Sequence, residues 1–138
     1  MLNGVTTDDD LWSFASKAGI HLNYIGFKDT IPNKLKNGGY IINLASSTDK
    51  SGGTHWVALW VDLKEKKSFY FDSFGFESPI EIENASTKNN LEEFYNTNQI
   101  QKLNSDFCGS FCLLFLYSMQ YNHGPLAERF NDFLNLFK

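Results

Sequence analysis

Two cysteines, three histidines and sixteen carboxylates give this 138-residue chain its capacity for nucleophilic and acid–base chemistry. Cys108 stands out by its setting. It lies in residues 101–116, QKLNSDFCGSFCLLFL, between a polar loop and an apolar stretch. Ser105 and Asp106 are good helix-capping types. Phe111, Cys112, Phe115, Leu116 and Met119 follow at helical spacing, and Leu113, Leu114 and Tyr117 make the segment apolar almost all round. The pattern predicts a central buried helix with Cys108 in its first turn. Free backbone amides and the positive end of the helix dipole would favour the thiolate there. Gly109 lets another backbone approach the sulfur closely. The same cysteine would also serve as a small apolar core residue, and this stretch alone does not choose between the two readings.

A cysteine nucleophile needs a base, and the base needs orienting. Residues 54–61, THWVALWV, form the strongest strand signal in the chain, apolar on both faces and opened by His55. Residues 63–67, LKEKK, read as a charged turn, and residues 68–72, SFYFD, as the partner strand. In an antiparallel pair the start of one strand lies beside the end of the other, so His55 and Asp72 meet at the open end. A carboxylate beside an imidazole fixes its tautomer and stabilises the imidazolium. Two polar residues that merely end strands are the plainer alternative. Asp62, at the turn end, is too far along to serve His55. Attack on a carbonyl also needs oxyanion donors: the amide of Cys108 is one, and the side chain of Gln101 or Gln99 could supply a second. The set describes Cys-His-Asp acyl transfer, in an order different from papain-like enzymes, where the cysteine comes first.

The remaining elements must hold these groups. Residues 6–18 predict a first helix, capped by Thr6 or Thr7, with Leu11, Phe14, Ala15 and Ala18 on one face and Gly19 ending it. Asp8, Asp9 and Asp10 read as a solvated first turn rather than a cation site. Residues 20–36 read as irregular, with His21 structural, and residues 40–45 as a strand. Residues 46–53 read as a flexible loop. Residues 74–90 read as loop-rich, 91–95 as a short helix capped by Asn90, and 99–103 as a short strand. A break at 121–125 leaves His123 on the surface before a last helix over 126–137. Asn84-Ala85-Ser86 matches a glycosylation acceptor and is read as loop chemistry.

The length suits one domain over residues 1–138 with a real core. Hydrophobic residues make up 42% and charged residues 20%, the globular range. Thirteen phenylalanines predict an aromatic-rich core. A net charge of −4 argues against a nucleic-acid module held by a basic surface. The start, MLNGVTTDDD, does not read as a signal peptide, and no apolar run is long enough to span a bilayer. Cys108 and Cys112, four residues apart on one helix, are poorly placed to bond each other, so an intracellular chain without a disulfide framework is expected. The cysteines and histidines show no zinc spacing, so no metal is expected.

As an ordered set, these motifs resemble the adenovirus endopeptidase (adenain) group of viral cysteine proteases, relatives of the ubiquitin-like-protein proteases. The resemblance is carried by Gly52-Gly53-Thr54-His55-Trp56, by Phe71-Asp72-Ser73-Phe74-Gly75-Phe76, and by Gln101 with Asn104-Ser105 before Cys108-Gly109-Ser110-Phe111-Cys112. The interval from Gln101 to Cys108 is that of adenain-like enzymes; in the cellular relatives it is one shorter. The likeness implies His55 as base, Asp72 as orienting acid, Gln101 as oxyanion donor and Cys108 as nucleophile. Adenain has Glu where this chain has Asp72, and Asp is usual among the cellular relatives. The long C-terminal part of adenain has no counterpart here, nor has the cysteine that attaches its activating peptide.

The fold implied is α+β, a small mixed β-sheet packed against a central helix carrying the nucleophilic cysteine. The function implied is a viral maturation endopeptidase that cleaves capsid or core precursors at Gly-Gly-X or Gly-X-Gly sites. Its compact form suits a virophage or polinton-like virus. The expected location is the virion and host-cell interior, without secretion, and the expected state is a monomer with no membrane partner. The sequence requires no cofactor; an activating peptide or nucleic acid follows by analogy only, and the acidic charge argues against DNA. The alternatives are a deubiquitinase or ubiquitin-like-protein protease effector, a non-catalytic capsid-associated protein on the same fold, or an acyltransferase.

Overall fold

The computed structural model describes residues 7–45, 48, 55–100 and 107–137. Helix α1 (Asp8–Ala18) begins where the sequence supplies both halves of a capping box. The Thr7 hydroxyl accepts from the amide of Asp10 at 3.2 Å, and the Asp10 carboxylate accepts from the amide of Thr7 at 3.3 Å. It stops at Gly19, whose φ of 70° is left-handed. Asp8, Asp9 and Asp10 are exposed, as a solvated first turn should be.

The sheet is built from β1 (Leu22–Phe27), β2 (Gly38–Asn43), β3 (Trp56–Asp62), β4 (Lys67–Phe71) and β5 (Glu92–Tyr95), in that spatial order. The two outer pairs are parallel and the two inner pairs antiparallel. This is the mixed sheet expected, with the His55 strand at its centre. Alternation along β3 sends Ala58 and Trp60 to one face and Val57, Leu59 and Val61 to the other, each into its own apolar cluster. Helices α1, α3 (Cys108–Tyr121) and α4 (Leu126–Asn135) contribute to the cluster on the first face. Helix α2 (Ile80–Lys88) contributes Ile82 and Ala85 to the other. The aromatic core forms around Phe115. Its ring stacks on Phe71 at 5.1 Å and meets Phe133 edge-on at 5.7 Å, while Phe71 also meets Phe133 at 5.2 Å.

Several local expectations are corrected. Residues 20–36 are not simply irregular: they hold β1 and a single 3-10 turn at Lys28–Thr30. The strand is masked in sequence because its residues are only half-buried and its register slips between Leu22 and Tyr24. The strand expected at 40–45 is Gly38–Asn43. Residues 74–90 contain α2, so Asn84-Ala85-Ser86 is helical, with Ser86 buried. Residues 91–95 hold β5, from Glu92 to Tyr95, rather than a helix. Asn90 takes a positive φ of 59°, and Phe94 then stacks on Phe69 across the β4–β5 pair at 5.1 Å. Gln99 and Ile100 are not in a strand, and residues 101–103 lie outside the described residues. Helix α3 covers the sheet with one face only: Leu114 and Tyr117 are 53% and 47% exposed. Its N-cap is Phe107, without a capping side chain; Ser105 and Asp106 lie outside the described residues. Among the described residues no helix is long and apolar enough to cross a membrane.

Candidate active site

Pairing within the β3–β4 hairpin runs from Asp62 opposite Lys67 to Ala58 opposite Phe71. The register therefore carries the residues just beyond, His55 and Asp72, to the same open end. Nε2 of His55 lies 2.6 Å from Oδ1 of Asp72. Asp72 is fully buried and the His55 side chain is 18% exposed. Asp62 sits at the opposite end, where it accepts from the amide of Glu65. A carboxylate here accepts, so Nε2 carries the proton and Nδ1 is left as the basic nitrogen.

Cys108 is the first residue of α3 and is 5% exposed. The amide of Phe111 bonds back to the carbonyl of Phe107, and the amides of a helix's first turn have no partner within the helix. The sulfur receives a further donor from the sheet. The backbone N–H of Trp56 reaches Sγ at 3.4 Å. Trp56 is 4% exposed, and its amide ties the cysteine to the residue next to His55.

The imidazole is held on one face by Phe74, with ring centroids 4.1 Å apart and planes within 7°. Burial opposes its protonation, yet the hydrogen bond to Asp72 and then the interaction with Cys108 outweigh it, and the pKa is pushed up to about 9. With Nε2 committed to Asp72, Nδ1 is the nitrogen left for the thiol. An imidazolium beside a thiolate is the ion pair from which sulfur attacks.

Asp72 is itself fixed. Its Oδ1 also accepts from the amide of Phe74 at 2.8 Å, and its carbonyl accepts from the amide of Gly75 at 2.8 Å. Gly75 has φ 80°, and a β-carbon there would lie 2.8 Å from the carbonyl of Asn98. The buried Asn96 bonds both main-chain groups of Asp72.

The structure thus brings together three of the four residues singled out in sequence, His55, Asp72 and Cys108. Gln101, with Gly52, Gly53 and Thr54, lies outside the described residues. Gln99 is exposed, His123 is on the surface as expected, and His21, expected to be structural, is exposed as well. Cys112 is buried one turn behind Cys108, and burial pushes its thiol pKa well up; neither cysteine is in a disulfide. Sequence reasoning missed the Trp56 amide, the Phe74 stack and Asn96. Phe74 follows Asp72 by two residues, close enough to be a candidate; a backbone donor and a distant Asn leave no such trace. Among the described residues no cluster of metal-ligating side chains occurs.

Residues 23–136 match the family model described as adenovirus endoprotease. The chain belongs to the adenovirus endoprotease family. The protease of Bovine adenovirus C serotype 10 is 28% identical over 134 residues, covering 82% of this chain and 66% of that protein. A protein of Acanthamoeba polyphaga mimivirus named for thiol protease activity is 36% identical over 77 residues, covering 49% of this chain. This chain spans a quarter of that mimivirus protein (25%). The crystal structure of the ASFV protease superposes with a TM-score of 0.60 at 18% identity, covering 92% of this chain and 61% of that one. The endoprotease family and the α+β fold of its viral neighbours are the ones the motif order implied.

Proposed function

We propose that this adenovirus endoprotease family member is a viral cysteine endopeptidase acting through Cys108, His55 and Asp72. The observation that carries the reading is the 2.6 Å His55–Asp72 contact beside a sulfur that accepts the Trp56 amide. Nδ1 of His55 takes the thiol proton, and Asp72 holds the resulting imidazolium through Nε2–H. The thiolate attacks the scissile carbonyl. The oxyanion is met by the amide of Cys108 and, as the family resemblance implies, by Gln101. His55 returns the proton to the leaving amine, then activates water to release the acyl group.

The substrates proposed are capsid or core precursors cut at Gly-Gly-X or Gly-X-Gly sites, in the virion or the infected-cell interior, by a single-domain monomer. The viral proteases among the relatives support the setting. The net charge of −4 weighs against DNA as an activator.

The test is cleavage of Gly-Gly and Gly-Ala peptides beside a ubiquitin-type fluorogenic substrate, by wild type and Cys108→Ala. Cleavage of the peptides and a loss of about 10³-fold or more in the variant are expected. Full activity in Cys108→Ala would end the proposal, and preference for the ubiquitin-type substrate would transfer the site to that rival activity.

A further inference from the structure

Backbone pairing on β4 stops just short of the acid. The last β3–β4 pair is Ala58 with Phe71, and the last β4–β5 pair is Tyr70 with Tyr95. Asp72 follows, fully buried, where no strand is left to satisfy its peptide groups. Asn96, the residue after β5 and 1% exposed, takes over. Its Oδ1 accepts from the Asp72 amide at 2.9 Å, and its Nδ2 donates to the Asp72 carbonyl at 2.7 Å. One side-chain amide thereby reproduces both bonds of a neighbouring strand. The following chain tightens the same turn: the amide of Ile100 donates to the carbonyl of Ser73 at 2.8 Å. With its main chain pinned at both ends, Asp72 can aim Oδ1 at His55 and the Phe74 amide together.

We infer that Asn96 is a positioning residue for the proposed reaction, acting through the main chain of Asp72 to hold the carboxylate on His55. It touches no reacting atom. The inference rests on the Cys108–His55–Asp72 reading, and it differs from a purely structural role in one respect. A residue that only supports the fold would change the folded fraction; a residue that aims the acid changes the protonation of the base in molecules that remain folded. The raised His55 pKa is sensitive to this aim, because the Asp72 hydrogen bond is its largest favourable cause.

The experiment is the pH dependence of Cys108 alkylation by iodoacetamide, read by mass spectrometry on the folded fraction of wild type, Asn96→Ala and His55→Ala. Asn96→Ser, whose hydroxyl and spare volume keep the buried groups hydrated, serves if the alanine variant does not fold. A proton NMR spectrum of each follows the downfield Nε2–H signal. The inference expects the His55-dependent transition in Asn96→Ala or Asn96→Ser to move down by about one pH unit or more, as loss of a directed charged hydrogen bond implies. The Nε2–H signal broadens or disappears. A transition and signal unchanged from wild type, whatever the loss of stability, would overturn the positioning role. If wild type itself matches His55→Ala, it is the underlying Cys108–His55 reading that fails.

Discussion

The pKa of His55 is raised because one oxygen of Asp72 stays beside it, and the hydrogen bond to Asp72 and the interaction with Cys108 together outweigh a burial that pulls the other way. Asp72→Asn therefore has a signed consequence. Without the carboxylate the imidazolium loses its chief support, and its transition falls from about 9 toward lower pH. Cys108 alkylation followed against pH should show that downward displacement, with the labelling rate near pH 8 reduced about tenfold or more; an unmoved transition would mean that Asp72 does not set the charge. At this scale the sequence was informative where chemistry is written in side-chain type. Cys108, His55 and Asp72 could be chosen because few residues do their work and a hairpin register joins two of them. Asn96 could not, because its contribution is two bonds to another residue's main chain, and any polar loop residue reads the same before folding. Trp56 was equally opaque, since every residue has a backbone amide.

Two parallel pairs flank the antiparallel β2–β3–β4 centre of the sheet, and this arrangement explains which elements were legible. The strands β3 and β4, buried on both faces, declare themselves by composition. The outer strands β1 and β5 are short or half-buried, and only their pairing partners make them strands. The α2 crossover has a modest apolar stripe and was hidden among turn-forming residues. The segment after β4 closes in a turn that the chain can make only with a left-handed residue at Gly75. Gly75→Ala adds left-handed strain and pushes a β-carbon into the backbone of Asn98 and Gln99. A loss of about 1–3 kcal/mol is expected. A urea titration would detect it, and because Asp72 and Phe74 share the turn, slower Cys108 alkylation should accompany it. Wild-type stability in the variant would mean that the turn relaxes freely.

The whole molecule feels the site as well. A histidine whose pKa rises from 6.5 in the unfolded chain to about 9 in the fold stabilises the fold when protonated. That contribution is full below about pH 6.5, shrinks as the unfolded histidine loses its proton, and is gone once pH passes the folded value of about 9. Urea midpoints should fall between pH 6.5 and 9 by more in wild type than in His55→Ala; parallel curves for the two would contradict the assignment. Both sheet faces are covered, and the aromatic cluster beneath α3 ties that helix to the hairpin. The two halves of the site differ in how far apart they lie along the chain. His55 and Asp72 are 17 residues apart, within one hairpin, whereas Trp56 and Cys108 are separated by 52. A ribosome delivers a chain from its N-terminus. The imidazole and its carboxylate therefore emerge first, and the sulfur arrives only after β4, α2 and β5 have been made. During synthesis the thiol proposed as nucleophile is the last of the three to arrive.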